Sequence, residues 1–211
     1  MELIEKTKEF VQKELEGDSS GHDWWHVYRV WKNAISIAKE ENVNIFVVEL
    51  AALLHDVDDW KISGSLEPVK SKKWMEEQGV EINVIDQVCE IIRTVSFKGA
   101  NVDSGMRTKE GMIVQDADRL DAMGAIGIGR TFAYGGSTGR EMYNPNVKPV
   151  IHDNFESYKK NNNPSLNHFY EKLLLLKDLM NTETGKRMAE ERHQYMEGFL
   201  DRFYKEWRGE K

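Results

Sequence analysis

With 211 residues, 40% of them apolar and 31% charged, the chain can bury a sizeable core and has neither a disordered nor a fibrous composition, so one domain is the simplest reading. Its 36 acidic against 29 basic side chains give a formal charge of −7, which argues against a nucleic-acid polymer as partner. A small phosphorylated anion is still compatible, because a metal and a few Lys or Arg can dominate the field inside a cleft.

Cys89 is the only cysteine, which excludes an intrachain disulfide and a thiolate metal cluster. The charged start MELIEKTKEF and the lack of any apolar run near ~20 residues predict a cytoplasmic protein with no membrane span.

The apolar spacing predicts helices almost throughout. Met1 to Leu15 reads as an amphipathic helix ending near Gly17, and Asp18 to Ser20 offer caps for a second helix to about Glu40, with Val27, Val30, Trp31, Ala34, Ile35 and Ala38 on one side. After Asn44 the run FVVELAALLHDV is nearly continuous in apolar residues and predicts a helix buried on most sides. Gly64 interrupts, Leu66 to Gln78 resumes, Gly79 stops, and Ile82 to Val95 follows as another amphipathic stretch.

Beyond the turn-like SFKGANVDSGMR, the run EGMIVQDADRLDAMGAIGIGRTFAY predicts a buried helix that kinks or changes partner near Gly124, Gly127 and Gly129. Residues 135–149, with three glycines and two prolines, read as an ordered loop or a mobile cover over the site. Pro164 and Ser165 start a predicted helix through LNHFYEKLLLLKDL, and Thr182 caps a final one. Its stripe of Met188, Tyr195, Met196, Phe199, Phe203 and Trp207 reads as core packing.

Three segments carry residues suited to chemistry. In HDWWHVYRV, His22 and His26 are four apart and share a helix face, each of them a ligand, a cap or a satisfied buried histidine. In LLHDVDDW, His55, Asp56, Asp58 and Asp59 crowd the end of an apolar run, where burial without a positive partner is expensive. In IVQDADRLDAM, Asp116, Asp118 and Asp121 lie among apolar residues, with Arg119 able to pair internally. Two histidines and two aspartates together suit Mn²⁺, Fe²⁺, Co²⁺, Ni²⁺ or Zn²⁺ better than Mg²⁺, and leave room for water and a phosphoryl oxygen.

The ordered set of His26, then His55 and Asp56, then Asp118 within ADRLD resembles the HD superfamily of metal-dependent phosphohydrolases. The stretches GHDWWHVYRVW, LAALLHDVDDWK and IVQDADRLDAMGAIGIGRTFAYGG are similar to a small bacterial subgroup of HD hydrolases. The resemblance implies an all-α, single-domain HD-type helical bundle over 1–211, with its motif region at about 20–135 and a helical extension at about 164–208. It also implies His26, His55, Asp56 and Asp118 as ligands of one central metal, for which Mn²⁺ is the expected ion and Fe²⁺, Co²⁺, Ni²⁺, Zn²⁺ or Mg²⁺ are the alternatives. Because the subgroup includes nucleotide pyrophosphohydrolases, the implied reaction cuts a nucleoside or deoxynucleoside triphosphate to the monophosphate and pyrophosphate.

A glycine-tyrosine-proline element after the HD motif is missing, which argues against the cyclic-di-nucleotide branch. A phosphomonoesterase or an alarmone hydrolase is the alternative within the family. A non-catalytic nucleotide-binding module and a purely structural helical protein are the alternatives outside it.

Asp59, four residues beyond His55, is the expected catalytic residue, orienting or deprotonating the attacking water; capping a helix end is its other reading. His22 and Asp23, preceding the first motif histidine, together with the basic Arg29, Lys61, Lys98, Arg130 and Arg140, are candidates for contacts to the phosphates or behind the ligands. The partner expected is a small phosphorylated molecule, and a homodimer is compatible with the sequence.

Overall fold

The structure, a computed structural model, describes residues 2–17, 23–58, 67–95, 105–150 and 163–210. Among these residues every regular element is a helix, so the protein is all-α, and the described residues fall into two compact units that divide after Asp118.

The first unit holds α1 (Glu2–Glu14), α2 (Trp24–Ala38), α3 (Ile45–Leu54), α4 (Val69–Glu77), α5 (Ile82–Val95) and α6 (Lys109–Asp121) as far as Asp118. The helix α3 is its centre, with α1, α2 and α5 packed around it. Its sequence IFVVELAALL explains this position: Val47, Val48, Leu50, Ala51, Ala52, Leu53 and Leu54 are wholly inaccessible, as expected for a helix that is apolar on nearly every side. Truncating Leu50 or Leu53 to alanine would cost about 2–5 kcal/mol through the cavity left behind.

Caps set the starts of these helices. Asn44 accepts hydrogen bonds from the backbone N–H groups of Phe46 and Val47, so α3 begins where the sequence places it. The second helix starts later than expected: Asp23, not a residue of 18–20, caps α2 by accepting from the His26 N–H at 2.9 Å. Residues 18–20 lie outside the described residues.

Polar ties join the helices of this unit. Trp31 Nε1 donates to Glu49 on α3 at 3.2 Å, and the Glu110 carboxylate of α6 accepts from the Asn44 N–H at 3.0 Å. Buried Gln115 donates its amide to the carbonyls of Thr94 and Val95 at 3.2 and 3.3 Å, which fixes α6 one turn before Asp118.

The second unit holds α7 (Gly124–Ser137), α8 (Asn167–Glu171), a 3-10 helix (Leu173–Leu179) and α9 (Glu183–Trp207), with α7 and the 3-10 helix packed on α9. The break expected near the glycines is complete, since α6 ends at Asp121 and a new helix begins at Gly124. Gly124 has φ +67°, and a Cβ on Gly127 would lie 2.2 Å from the Ala122 carbonyl oxygen, so neither position accepts a side chain without rearrangement.

Two expectations are corrected in this unit. The single helix predicted through LNHFYEKLLLLKDL divides at Lys172 (φ −145°) into α8 and the 3-10 helix. Of the four consecutive leucines, Leu173 and Leu176, three residues apart, are the buried ones. In α9 the buried face is Ala189, His193, Met196 and Leu200, while Tyr195 and Trp207 of the predicted stripe are 60% and 50% exposed.

Residues 138–150 form an anchored loop. The N–H groups of Ser165 and Leu166 donate to the carbonyls of Glu141 and Met142, the Asn167 side chain donates to Val147, and Tyr143 meets the rings of Phe203, Tyr204 and Trp207 edge-on. Among the described residues no helix is long and apolar enough to cross a membrane.

Candidate metal centre

Three elements of the first unit present the titratable cluster. His26 lies one turn into α2, where the Asp23 cap holds its backbone; His55 and Asp56 follow the last residue of α3; Asp118 is near the end of α6. His26, His55 and Asp56 are buried, and Asp118 keeps 28% of its side chain accessible, so the cluster has one wet member.

The Asp56 carboxylate stands between the two rings, with Oδ2 at 3.2 Å from His26 Nε2 and Oδ1 at 3.4 Å from His55 Nε2. Asp118 Oδ1 is 3.5 Å from His26 Nε2 and 4.0 Å from His55 Nε2. One donor atom each from His26, His55 and Asp118 all lie within 4.8 Å of one another. Donors around a single ion, at metal–ligand distances of about 2.0–2.2 Å, sit about 3–4 Å apart, so this spacing fits one divalent cation.

The orientation of the ring supports the same conclusion. His55 Nδ1 is 2.9 Å from the Ala52 carbonyl, which can only accept, so Nδ1 carries a hydrogen and Nε2 is the atom turned toward the carboxylates. That buried Nε2 makes no hydrogen bond with a described residue. A divalent cation held between Nε2 and the carboxylate oxygens would make each of these contacts attractive. The donor set therefore fits a divalent metal.

The remaining candidates are distributed as follows. His22, Asp59, Lys61 and Lys98 lie outside the described residues. Asp23 is the α2 cap, and half-buried Arg29 is one turn beyond His26. In the second unit Arg130 donates to buried Asp121 at 2.6 Å, and the Arg140 guanidinium lies over the Tyr134 ring at 5.4 Å. Arg119 donates to the Leu179 carbonyl.

Sequence reasoning gave no role to Ser71 or Gln115 and little to Asp58. Asp58 is buried and caps α4, accepting from the N–H groups of Lys70 and Ser71 and from the Ser71 hydroxyl. The available signal was Pro68, which stands before the helix with no side chain able to cap it.

Comparison with known proteins agrees with the cluster. The HD domain family matches residues 24–123, which include all four clustered residues. YpgQ of Bacillus subtilis is 39% identical over 98% of this chain and 94% of its own length. The crystal structure of YpgQ in complex with ADP aligns with a TM-score of 0.77 and 34% identity, covering 96% of this chain and 97% of that one. An HD-superfamily hydrolase from Bacillus thuringiensis is 50% identical with a TM-score of 0.77, covering 98% and 97%. A Lactobacillus plantarum structure is 36% identical with a TM-score of 0.85, covering 99% and 98%.

Proposed function

From the premise that the chain belongs to the HD superfamily and is a metal-dependent phosphohydrolase, we propose that it cuts nucleoside or deoxynucleoside triphosphates to the monophosphate and pyrophosphate. The observation that carries this reading is the convergence of His26, His55, Asp56 and Asp118 at donor spacings of 3.2–4.0 Å, in a chain whose relative YpgQ has been crystallised with ADP. We assign these four residues as the metal ligands and Mn²⁺ as the ion.

When bound, the ion supplies Lewis acidity toward a phosphoryl oxygen and toward water. The chain's own groups do the rest. His55 keeps its Nε2 directed inward because Nδ1–H is committed to Ala52, and the 28% accessibility of Asp118 leaves the substrate a side from which to approach. Asp59 is assigned the proton of the attacking water, Arg29, Lys61, Lys98, Arg130 and Arg140 are the candidate cations for the β- and γ-phosphates, and His22 and Asp23 are candidates for contacts to the substrate or behind the ligands. Residues 1–211 act as one HD-type domain in the cytoplasm, and a homodimer is compatible with this reading.

Phosphorus NMR of a Mn²⁺-supplemented reaction tests the bond that breaks. Pyrophosphate and nucleoside monophosphate should appear together from the first time point. Initial release of orthophosphate and nucleoside diphosphate would place cleavage at the γ-phosphate and overturn the assignment.

A further inference from the structure

The turn that carries His55 and Asp56 is fastened, through Asp58, to α4, which starts eleven residues after Asp58. Both oxygens of Asp58 are used: Oδ1 accepts from the Lys70 N–H at 2.9 Å, and Oδ2 accepts from the Ser71 N–H at 2.9 Å and from the Ser71 hydroxyl at 2.6 Å. Ser71 is wholly buried and Asp58 is 5% exposed, so this junction is dry. The Ser71 hydroxyl also lies 3.5 Å from the carbonyl of Leu54, the last residue of α3.

Each side of the junction needs the other. The first turn of α4 has free N–H donors and positive potential, and Pro68 in front of it contributes no capping side chain. A buried carboxylate needs donors, and the helix start provides them. Both Asp58 oxygens are thus engaged by the start of α4, two residues beyond Asp56.

We propose that Asp58 and Ser71 are positioning residues that hold His55 and Asp56 in register for the metal. The inference rests on the metal assignment of those two residues. Asp58 follows His55 by three residues, within the same turn, so movement of its carboxylate off α4 rotates the backbone that aims the imidazole and the Asp56 carboxylate. Groups behind the ligands commonly change metal affinity about 10–100-fold when removed.

Titration of the metal-free full-length protein with Co²⁺, followed by its visible ligand-field bands, separates this role from simple helix capping. Asp58→Ala should weaken Co²⁺ binding about 10–100-fold and alter the bands while retaining the wild-type helical circular dichroism. Ser71→Ala should shift both readings in the same direction by less, and the double variant should be no worse than Asp58→Ala, because the two act as one unit. If Asp58→Ala does not fold, the Ser71→Ala spectrum decides. A folded variant of either kind with wild-type affinity and bands, whatever its melting temperature, overturns the proposal. Co²⁺ bands that persist unchanged in His55→Ala would instead refute the metal assignment, and the positioning role with it.

Discussion

The buried charges of the second unit and the titratable cluster of the first meet different partners. In the second, each buried charge described has a complementary group beside it: Asp121 has Arg130, Glu171 accepts from the Val150 N–H and the Asn163 side chain, and Arg119 and Arg192 donate to the carbonyls of Leu179 and Leu120. In the first, Asp56 and Asp118 face the Nε2 atoms of two histidines, one of which has already committed its hydrogen to Ala52. Burial disfavours both arrangements: the second unit meets it with opposite charges and carbonyls, and the cluster of the first with a mixed histidine–carboxylate donor set suited to a cation. That donor set marks the candidate metal centre more clearly than the number of acids does.

The largest expected effect comes from breaking the histidine–carboxylate cluster. His26→Ala, His55→Ala, Asp56→Ala and Asp118→Ala should each lose metal, measured by elemental analysis, and lower turnover by more than about 100-fold with it. Helical circular dichroism of each variant should stay that of the wild type, which separates loss of metal from loss of fold. His193→Ala, on the buried face of α9, should keep full metal content.

Breaking the Asp121–Arg130 pair should do the opposite. Arg130→Met leaves Asp121 buried beside the lost guanidinium, and with Arg130 partly exposed the expected penalty is about 1–3 kcal/mol in denaturant unfolding at unchanged metal affinity. An unchanged midpoint would show that water replaces the pair.

A smaller effect concerns acid. Burial, with Lys172 and Arg140 nearby, pushes the His168 imidazole down from 6.5 to about 3. The unfolded chain therefore takes up this proton as pH falls through 6.5 while the folded chain refuses it until about 3. Stability from this group is complete above 6.5 and is lost progressively below it, by about 1–2 kcal/mol at pH 5. His168→Gln should flatten the fall in melting temperature between pH 7 and pH 5, and an unaltered slope would reject the account. At the bottom of the scale, the exposed Arg202–Glu206 pair on α9 should contribute no more than about 0.5 kcal/mol, measured by a double-mutant cycle.

Much of this contrast was readable before any coordinates. The burial of α3 follows from IFVVELAALL alone, and the ordered histidines and aspartates fall at helix positions that converge. The missing parts were long-range. No local pattern says that Asp58 caps a helix beginning at Val69, or that Gln115 reaches the carbonyls ending α5. The 3-10 helix at Leu173–Leu179 was missed because four leucines satisfy any helical period, and the α9 stripe because large aromatic side chains outweighed Ala189 and His193 in the reading. Asp59 and Lys61 fall outside the described residues, so their roles rest on sequence spacing.

The most direct test of the central claim is anomalous X-ray scattering at the manganese edge from crystals grown with Mn²⁺. The account predicts a single peak bounded by His26 Nε2, His55 Nε2 and the carboxylates of Asp56 and Asp118, with each donor about 2.0–2.3 Å away. A peak elsewhere, or none in crystals of protein that hydrolyses substrate under the same conditions, would contradict it.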